Sequence, residues 1–352
     1  MNSVEALTRR LPKVELHVHL EGSIEPGTLR EMARRKGRLL TETEDWIAER
    51  ERQEFRYPQF TDFLNAFKLV SLLLETPDDY ALAATRLVEG LSAQKVRYAE
   101  VTLSAGVVLW KKQPLEAIFE AAAGAARESG RRRGVQVNWI LDAIRHFGAD
   151  HAREVVRHAA RWRERGVVAF GIGGDEVRGP ARNFVDVYRE AREGGLRLTA
   201  HAGEAAGPES VRDAVVLLGA ERIGHGTSAA RDPELLRLLA ERRIPVEVCL
   251  TSNVATGTIA KIEDHPLRRF LEAGVAVTLN SDDPAMFATT VEREMILAAQ
   301  TFGLSGAEMV GLAGNAIRGA FLPESERAGL CRELMQAADQ AQVAPPKAPA
   351  GC

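Results

Sequence analysis

The chain has 352 residues, 45% hydrophobic and 27% charged, a composition that suits a globular protein with a large core. Its 46 basic and 49 acidic side chains leave a formal charge of −3, so no positive field exists to draw nucleic acid or an anionic membrane. Cysteines at 249, 331 and 352 lack paired spacing, no apolar run suits a bilayer and no secretion signal opens the chain, so the expected compartment is the reducing cytoplasm.

The first element in chain order is KVELHVHLEG, Lys13 to Gly22, which reads as a strand. Side chains alternate across a strand. Val14, Leu16, Val18 and Leu20 therefore share an apolar face, and Lys13, Glu15, His17 and His19 share the opposite, polar one. Two imidazoles two residues apart can hold one metal ion. A His-x-His pair also arises by chance, so the remaining chain decides. A long helical excursion follows over 25–94. Its 41–57 stretch is heavily charged and reads as surface, with a lid beside the site as the weaker expectation. Phe60, Phe63, Phe67, Val70 and Leu74 recur at helical spacing and read as packing.

Strand candidates then follow at 96–103, 135–143, 167–172, 196–201, 222–225, 244–249 and 275–281, eight with the first. Helical segments at 115–128, 150–165, 184–193, 210–218, 233–242 and 266–273 separate the later ones. Alternation of this kind implies a parallel sheet, and eight units match a closed (β/α)8 TIM barrel. We expect one barrel domain over 1–342, with terminal helices over 291–338 and a disordered Pro- and Ala-rich tail over 343–352. An open doubly wound sheet shows the same alternation. Its phosphate loop is missing, because Gly171-Ile-Gly-Gly174 lacks G-x-G-x-x-G spacing and Asp175-Glu176 would repel a pyrophosphate. Arg131 to Arg133, ahead of Gly134, read as a solvated helix end.

A barrel builds its site from the C-terminal ends of its strands. His17 and His19 end the first strand, His201 the fifth in LTAHAGE, His225 the sixth in RIGHG, and Asp282-Asp283 the eighth in TLNSDDP. His151 and His158 fall on a helix and His265 at a helix start, where surface roles are expected; His146 stays unassigned. The convergence predicts a centre of nitrogen and oxygen ligands with a position open to water, as zinc takes. One ion is expected, since the fourth strand ends in GIGGDE without a bridging lysine. Glu204 can overhang that ion and shuttle a proton; its plainer role is a helix N-terminal carboxylate. His225 would then bond a water that the metal acidifies. One carboxylate of the Asp282-Asp283 pair can ligate while the other meets substrate.

KVELHVHLEGS, LTAHAGE, RIGHGT, EVCLTSN and TLNSDDP, in this order over residues 13–284, resemble the adenosine deaminase family of metal-dependent amidohydrolases. The resemblance implies one Zn2+ per chain and hydrolysis of a purine 6-amino group to a ketone and ammonia. By motif position, His17, His19, His201 and Asp282 are the implied zinc ligands. Glu204 is the implied donor to purine N1, and His225 orients and deprotonates the attacking water with help from Asp282. Asp283, bonding N7, Gly174, whose backbone meets N3, Glu21 and His19 form the implied substrate-contacting set. Adenosine-specific members usually carry Asp after HxHL to receive the ribose 5′-hydroxyl, whereas this chain has Glu21. HLEG is seen in adenine deaminases and in relatives acting on aminodeoxyfutalosine, a 5′-extended adenosine nucleoside of menaquinone biosynthesis. RIGHG and CLTSNVATG resemble nucleoside-type members. The expected order is aminodeoxyfutalosine, then adenosine, with adenine as the alternative. The zinc design with H-x-E and P-C-x-x-C is absent. A metal phosphoesterase, which needs two metals, and a non-catalytic nucleoside sensor are the rival readings. Oligomeric state is left open.

Overall fold

Eight strands form where the apolar runs fall in the computed structural model, which describes residues 3–37, 40–52 and 55–343. They are β1 (Lys13–His19), β2 (Val96–Leu103), β3 (Gln136–Ile144), β4 (Val167–Gly173), β5 (Arg197–Ala202), β6 (Arg222–His225), β7 (Val246–Val248) and β8 (Val277–Leu279). Each pairs in parallel with the next, in the order β1 to β8. The ring closes through Asp282, whose N–H donates to His17 O at 2.9 Å and whose carbonyl accepts from His19 N at 2.9 Å. β7 starts later than expected because Pro245 has no N–H to give the ladder.

A barrel of this kind usually fills its interior with branched apolar side chains. Here Val14, Leu16 and Val18 join the main hydrophobic cluster, and the alternate residues of β1 carry polar groups. Lys13 leaves that row, at a register shift between residues 13 and 14, and its ammonium donates to Leu11 O at 3.2 Å and Gln94 O at 2.9 Å. Inside, the Arg222 guanidinium bridges Glu100 at 2.6 Å and Glu247 at 2.5 Å and lies 3.8 Å over the Phe321 ring. Burial works against the ionised form of Glu247, yet Arg222 and His17 hold its carboxyl below the usual range. Replacing Arg222 by Met leaves two buried carboxylates without their cation. The expected cost is about 3–5 kcal/mol in urea unfolding, the scale for breaking one side of a buried ion pair; a loss below about 1 kcal/mol would show that the carboxylates do not depend on it.

Among the described residues the excursion after β1 folds as four α-helices. With α1 at Ser3–Arg10, these are α2 (Pro26–Lys36), α3 (Leu40–Arg52), α4 (Phe60–Leu73) and α5 (Pro77–Ala93). Thr76 caps α5 through a reciprocal bond with Asp79, with Pro77 in the first turn. Two expectations are corrected here. The 41–57 stretch is not all surface: Ile47 and Tyr57 are each buried to 1% exposure. Nor does any of its described residues line the cavity at the barrel mouth; α4 does so, with Phe63 packed against Tyr57, Met286 and Phe287 of the loop after β8.

After β2 a short helix absent from the sequence-based expectation, α6 (Ala105–Trp110), precedes α7 (Leu115–Arg133). Arg131, Arg132 and Arg133 form the last turn of α7, paired with Glu128 and Glu89, and Gly134 ends it in the left-handed region. The terminal helices are Val291–Phe302, Gly306–Gly319 and Glu324–Gln340. Among the described residues no helix is long and apolar enough to cross a membrane. The tail from residue 344 onward lies outside the described residues.

Candidate active site

At the C-terminal rim of the barrel, ligand atoms of His17, His19, His201 and Asp282 lie within 4.8 Å of one another. His19 Nε2 is 3.2 Å from His201 Nε2, and Asp282 Oδ1 is 3.3 Å and 3.4 Å from the Nε2 atoms of His17 and His19. Partners on the far side aim two of these rings. His17 Nδ1 bonds the Glu247 carboxylate at 2.8 Å, and His201 Nδ1 bonds Ile172 O at 3.0 Å. Nε2 of each then faces the cluster, and that of His17 is buried with no hydrogen-bond partner. Three imidazoles and one carboxylate suit a zinc ion, and an outer carboxylate on a ligating histidine is the usual support for it. Gly224 keeps the space, since a Cβ there would come within 2.6 Å of His17 Cε1.

Asp282 and His225 both adopt left-handed backbone, at φ of 62° and 61°. Such strain in residues other than glycine costs about 1–3 kcal/mol and gathers at functional sites. Burial alone would raise the Asp282 carboxyl, yet the close approach of His17 and the surrounding imidazoles hold it well below the usual range. Ser252 Oγ donates to its Oδ2 at 2.6 Å. His225 Nε2 sits 3.5 Å from Glu204 Oε2 and 3.9 Å from Asp282 Oδ2, and burial drives its pKa down to about 3.

Glu204 and Asp283 are the opposite case. Burial first, and the Asp282 charge second, push both carboxyls well above their ordinary values. The shift is towards the protonated form, in which a carboxyl can donate a hydrogen bond. Asp283 Oδ1 is buried without a partner. A Cβ on Gly22 would come within 1.6 Å of it, so only glycine fits there.

The loop carrying Glu204 is itself fastened. One carboxylate, Glu176, accepts from the backbone N–H groups of Gly203 at 2.5 Å, Glu204 at 3.2 Å, Ala205 at 2.9 Å and Ala206 at 3.0 Å, and from Ser210 Oγ. The acidic pair after β4 thus serves the neighbouring loop. Gly174, at φ of 89°, turns the chain over His146.

His19, His201, Glu204, His225, Asp282, Asp283 and Gly174 all line one cavity of about 390 Å³, in the size range of small-molecule sites. His17 does not line it but lies beside that lining, its ring centroid 4.6 Å from that of His201, and His146 also faces the cavity. Glu21 does not line it. That residue is 1% exposed, its Oε1 accepts from Ser104 N at 3.1 Å, and burial raises its pKa to about 7. The extra methylene carries the carboxylate behind Ser104, so a direct contact with ribose is not built here.

His265 is a second correction. Expected at the surface, it is 3% exposed, and its Nε2 meets Asn253 Oδ1 at 3.3 Å while Asn253 Nδ2 meets His225 Nδ1 at 3.1 Å. Asn253, Ser252, Glu247 and Glu176 were not anticipated. For Glu247 a signal existed: Val246-Glu247-Val248 puts one acid between two valines of a buried strand, as HVH does for β1.

Comparison with known proteins agrees with this geometry. The family described as Adenosine deaminase matches residues 12–337. The chain is 39% identical over 326 residues to an aminodeoxyfutalosine deaminase of Streptomyces avermitilis, covering 92% of this chain and 90% of that one. It is 36% identical over 333 residues to an adenosine deaminase of Enterococcus faecalis, covering 95% and 98%. An amidohydrolase from Burkhoderia ambifaria, solved with bound Zn, has a TM-score of 0.87 at 28% identity, covering 97% of this chain and 95% of that one. The phosphoesterase and sensor readings fall away. The chain belongs to the adenosine deaminase family and is a hydrolytic deaminase of adenosine-like substrates, acting on a C–N bond.

Proposed function

We propose that the chain hydrolyses the 6-amino group of a purine nucleoside altered at its 5′ position, aminodeoxyfutalosine first and adenosine second, with one zinc ion per chain. The observation that carries this reading is the pairing of a four-ligand cluster with two buried carboxyls, Glu204 and Asp283, in one cavity, where burial shifts both towards the protonated form. A bound zinc ion would be held by His17, His19, His201 and Asp282, and it supplies a water acidic enough to attack near neutral pH.

The remaining chemistry belongs to the side chains. Glu204 gives its proton to purine N1, which draws electron density from C6 and opens that carbon to attack. His225, neutral because it is buried, orients the water and takes its proton with Asp282 alongside. The new C6–O bond forms, the C6–N bond breaks, and the amino group leaves as ammonia once it has received a proton. Asp283 in its protonated form donates to N7, which can only accept. The Gly174 backbone N–H meets N3.

Two facts favour a 5′-altered substrate. The relative of highest identity named above is called an aminodeoxyfutalosine deaminase, and Glu21, held at Ser104 N, does not line the cavity. The test is a panel read by ultraviolet difference: aminodeoxyfutalosine, adenosine, 5′-methylthioadenosine and adenine. Aminodeoxyfutalosine should show the highest kcat/KM and adenine the lowest. A decisive preference for free adenine would overturn the ranking.

A further inference from the structure

The floor of the cavity holds the reactive groups, and its exposed rim has a different chemistry. From Ser104, α6 climbs along the wall through Val107 to Trp110, which is 48% exposed. The Trp110 ring stacks on Phe147, with centroids 5.9 Å apart and planes 20° from parallel. The Lys68 ammonium of α4 stands 5.8 Å from the Trp110 centroid, and Arg178, from the loop after β4, lines the same rim. Among the described residues neither cation has an acidic side chain within 4.0 Å. Asp175 also lines the cavity, but its Oδ1 accepts from the backbone N–H groups of Val177 and Arg178 at 3.1 Å and 3.0 Å. Burial first and the Arg178 charge second lower the pKa of His146, which favours its neutral form. The rim thus presents two stacked rings and two cations against one carboxylate that is already occupied.

We propose that Lys68, Trp110, Phe147 and Arg178 are the specificity-determining residues of this site, selecting a 5′ substituent that carries an aromatic ring and ends in a carboxylate. The proposal rests on the reading that the purine lies on the cavity floor. The ring of the substituent lies against Trp110 and Phe147. Its anionic end meets the guanidinium and ammonium groups, of which Arg178 can grip a carboxylate with two parallel bonds. Glu21 leaves the route open, since its carboxylate is held at Ser104 N and does not line the cavity. The acid that does line the wall there, Asp142, has its pKa raised to about 8 by burial, which favours its neutral form and spares an anion its charge. A 5′-phosphate would carry its charge on the sugar itself, short of the rim where both cations stand.

The holoenzyme should be assayed with four nucleosides: adenosine, a 5′-deoxy-5′-phenylthio adenosine, its 3-carboxyphenyl counterpart, and adenosine 5′-monophosphate. The carboxyphenyl compound should exceed its neutral twin in kcat/KM by roughly tenfold, the scale of two exposed ion pairs. That ratio should shrink as salt is added, because the cations are exposed, and should fall to about one in a Lys68→Met, Arg178→Met double variant. Trp110→Ala should reduce both aryl substrates relative to adenosine. Equal rates for the charged and neutral twins, a preference for the monophosphate, or a ratio unmoved in the double variant would each overturn the proposal and leave the deaminase reading standing. Turnover of none of the nucleosides would overturn both.

Discussion

Glu204→Gln should retain the wild-type metal content and lose roughly 10²- to 10⁴-fold in kcat, the usual weight of a positioned proton donor. The substitution is nearly isosteric, and the loop beneath it is tied through its backbone N–H groups to Glu176, so the amide keeps the place of the acid. What it lacks is a proton to give to N1. The pH profile separates this from a packing defect. Because burial and the Asp282 charge hold the Glu204 carboxyl well above its ordinary value, the acid form persists to higher pH and activity is lost only as pH rises through that raised pKa. The Gln variant cannot titrate there, so its residual rate should lose that alkaline limb. Elemental analysis and stopped-flow turnover check both parts, and a variant with normal kcat would remove Glu204 from the mechanism.

Why this acid could be picked out while its support could not is a question of sequence distance. His17 and His19 are two residues apart on one strand, and their pattern is visible locally. The other ligands were placed by a topological rule, that barrel strands present their C-terminal ends to the site, once eight strands could be counted. The parts missed are long-range contacts with no local pattern. Glu247 reaches His17 across 230 positions, and Glu176 reaches the Glu204 loop across 28. His265 read as an ordinary histidine at a helix start because nothing near it announces Asn253 or His225. The short helix α6 was missed because six residues carry too little periodicity to register, yet it builds the wall from Ser104 to Trp110. Glu21 shows a limit of motif transfer: the position matches, but one added methylene sends the carboxylate to a backbone N–H instead of into the cavity.

Asp282→Ala should abolish both bound zinc and turnover. Its backbone closes the barrel through two hydrogen bonds to β1, and those survive any side-chain change. Its carboxylate alone contributes the oxygen 3.3 Å and 3.4 Å from two imidazoles, so the loss should exceed the roughly 10- to 100-fold in affinity that removal of an outer partner costs. Alanine at φ of 62° is also strained, which could be mistaken for the cause. Asp282→Asn separates the two effects, because asparagine tolerates left-handed backbone and keeps the shape while losing the negative charge. If ligation is what matters, both variants lose zinc by elemental analysis, and the thermal midpoint of neither rises when zinc is added, since an ion that binds only the folded chain raises stability in proportion to its affinity. Lowering the pH of the unmutated protein should release the ion as well, because each imidazole must be deprotonated to ligate. Retention of zinc by the Asn variant would assign the metal to the three imidazoles alone and leave Asp282 as a partner of His225.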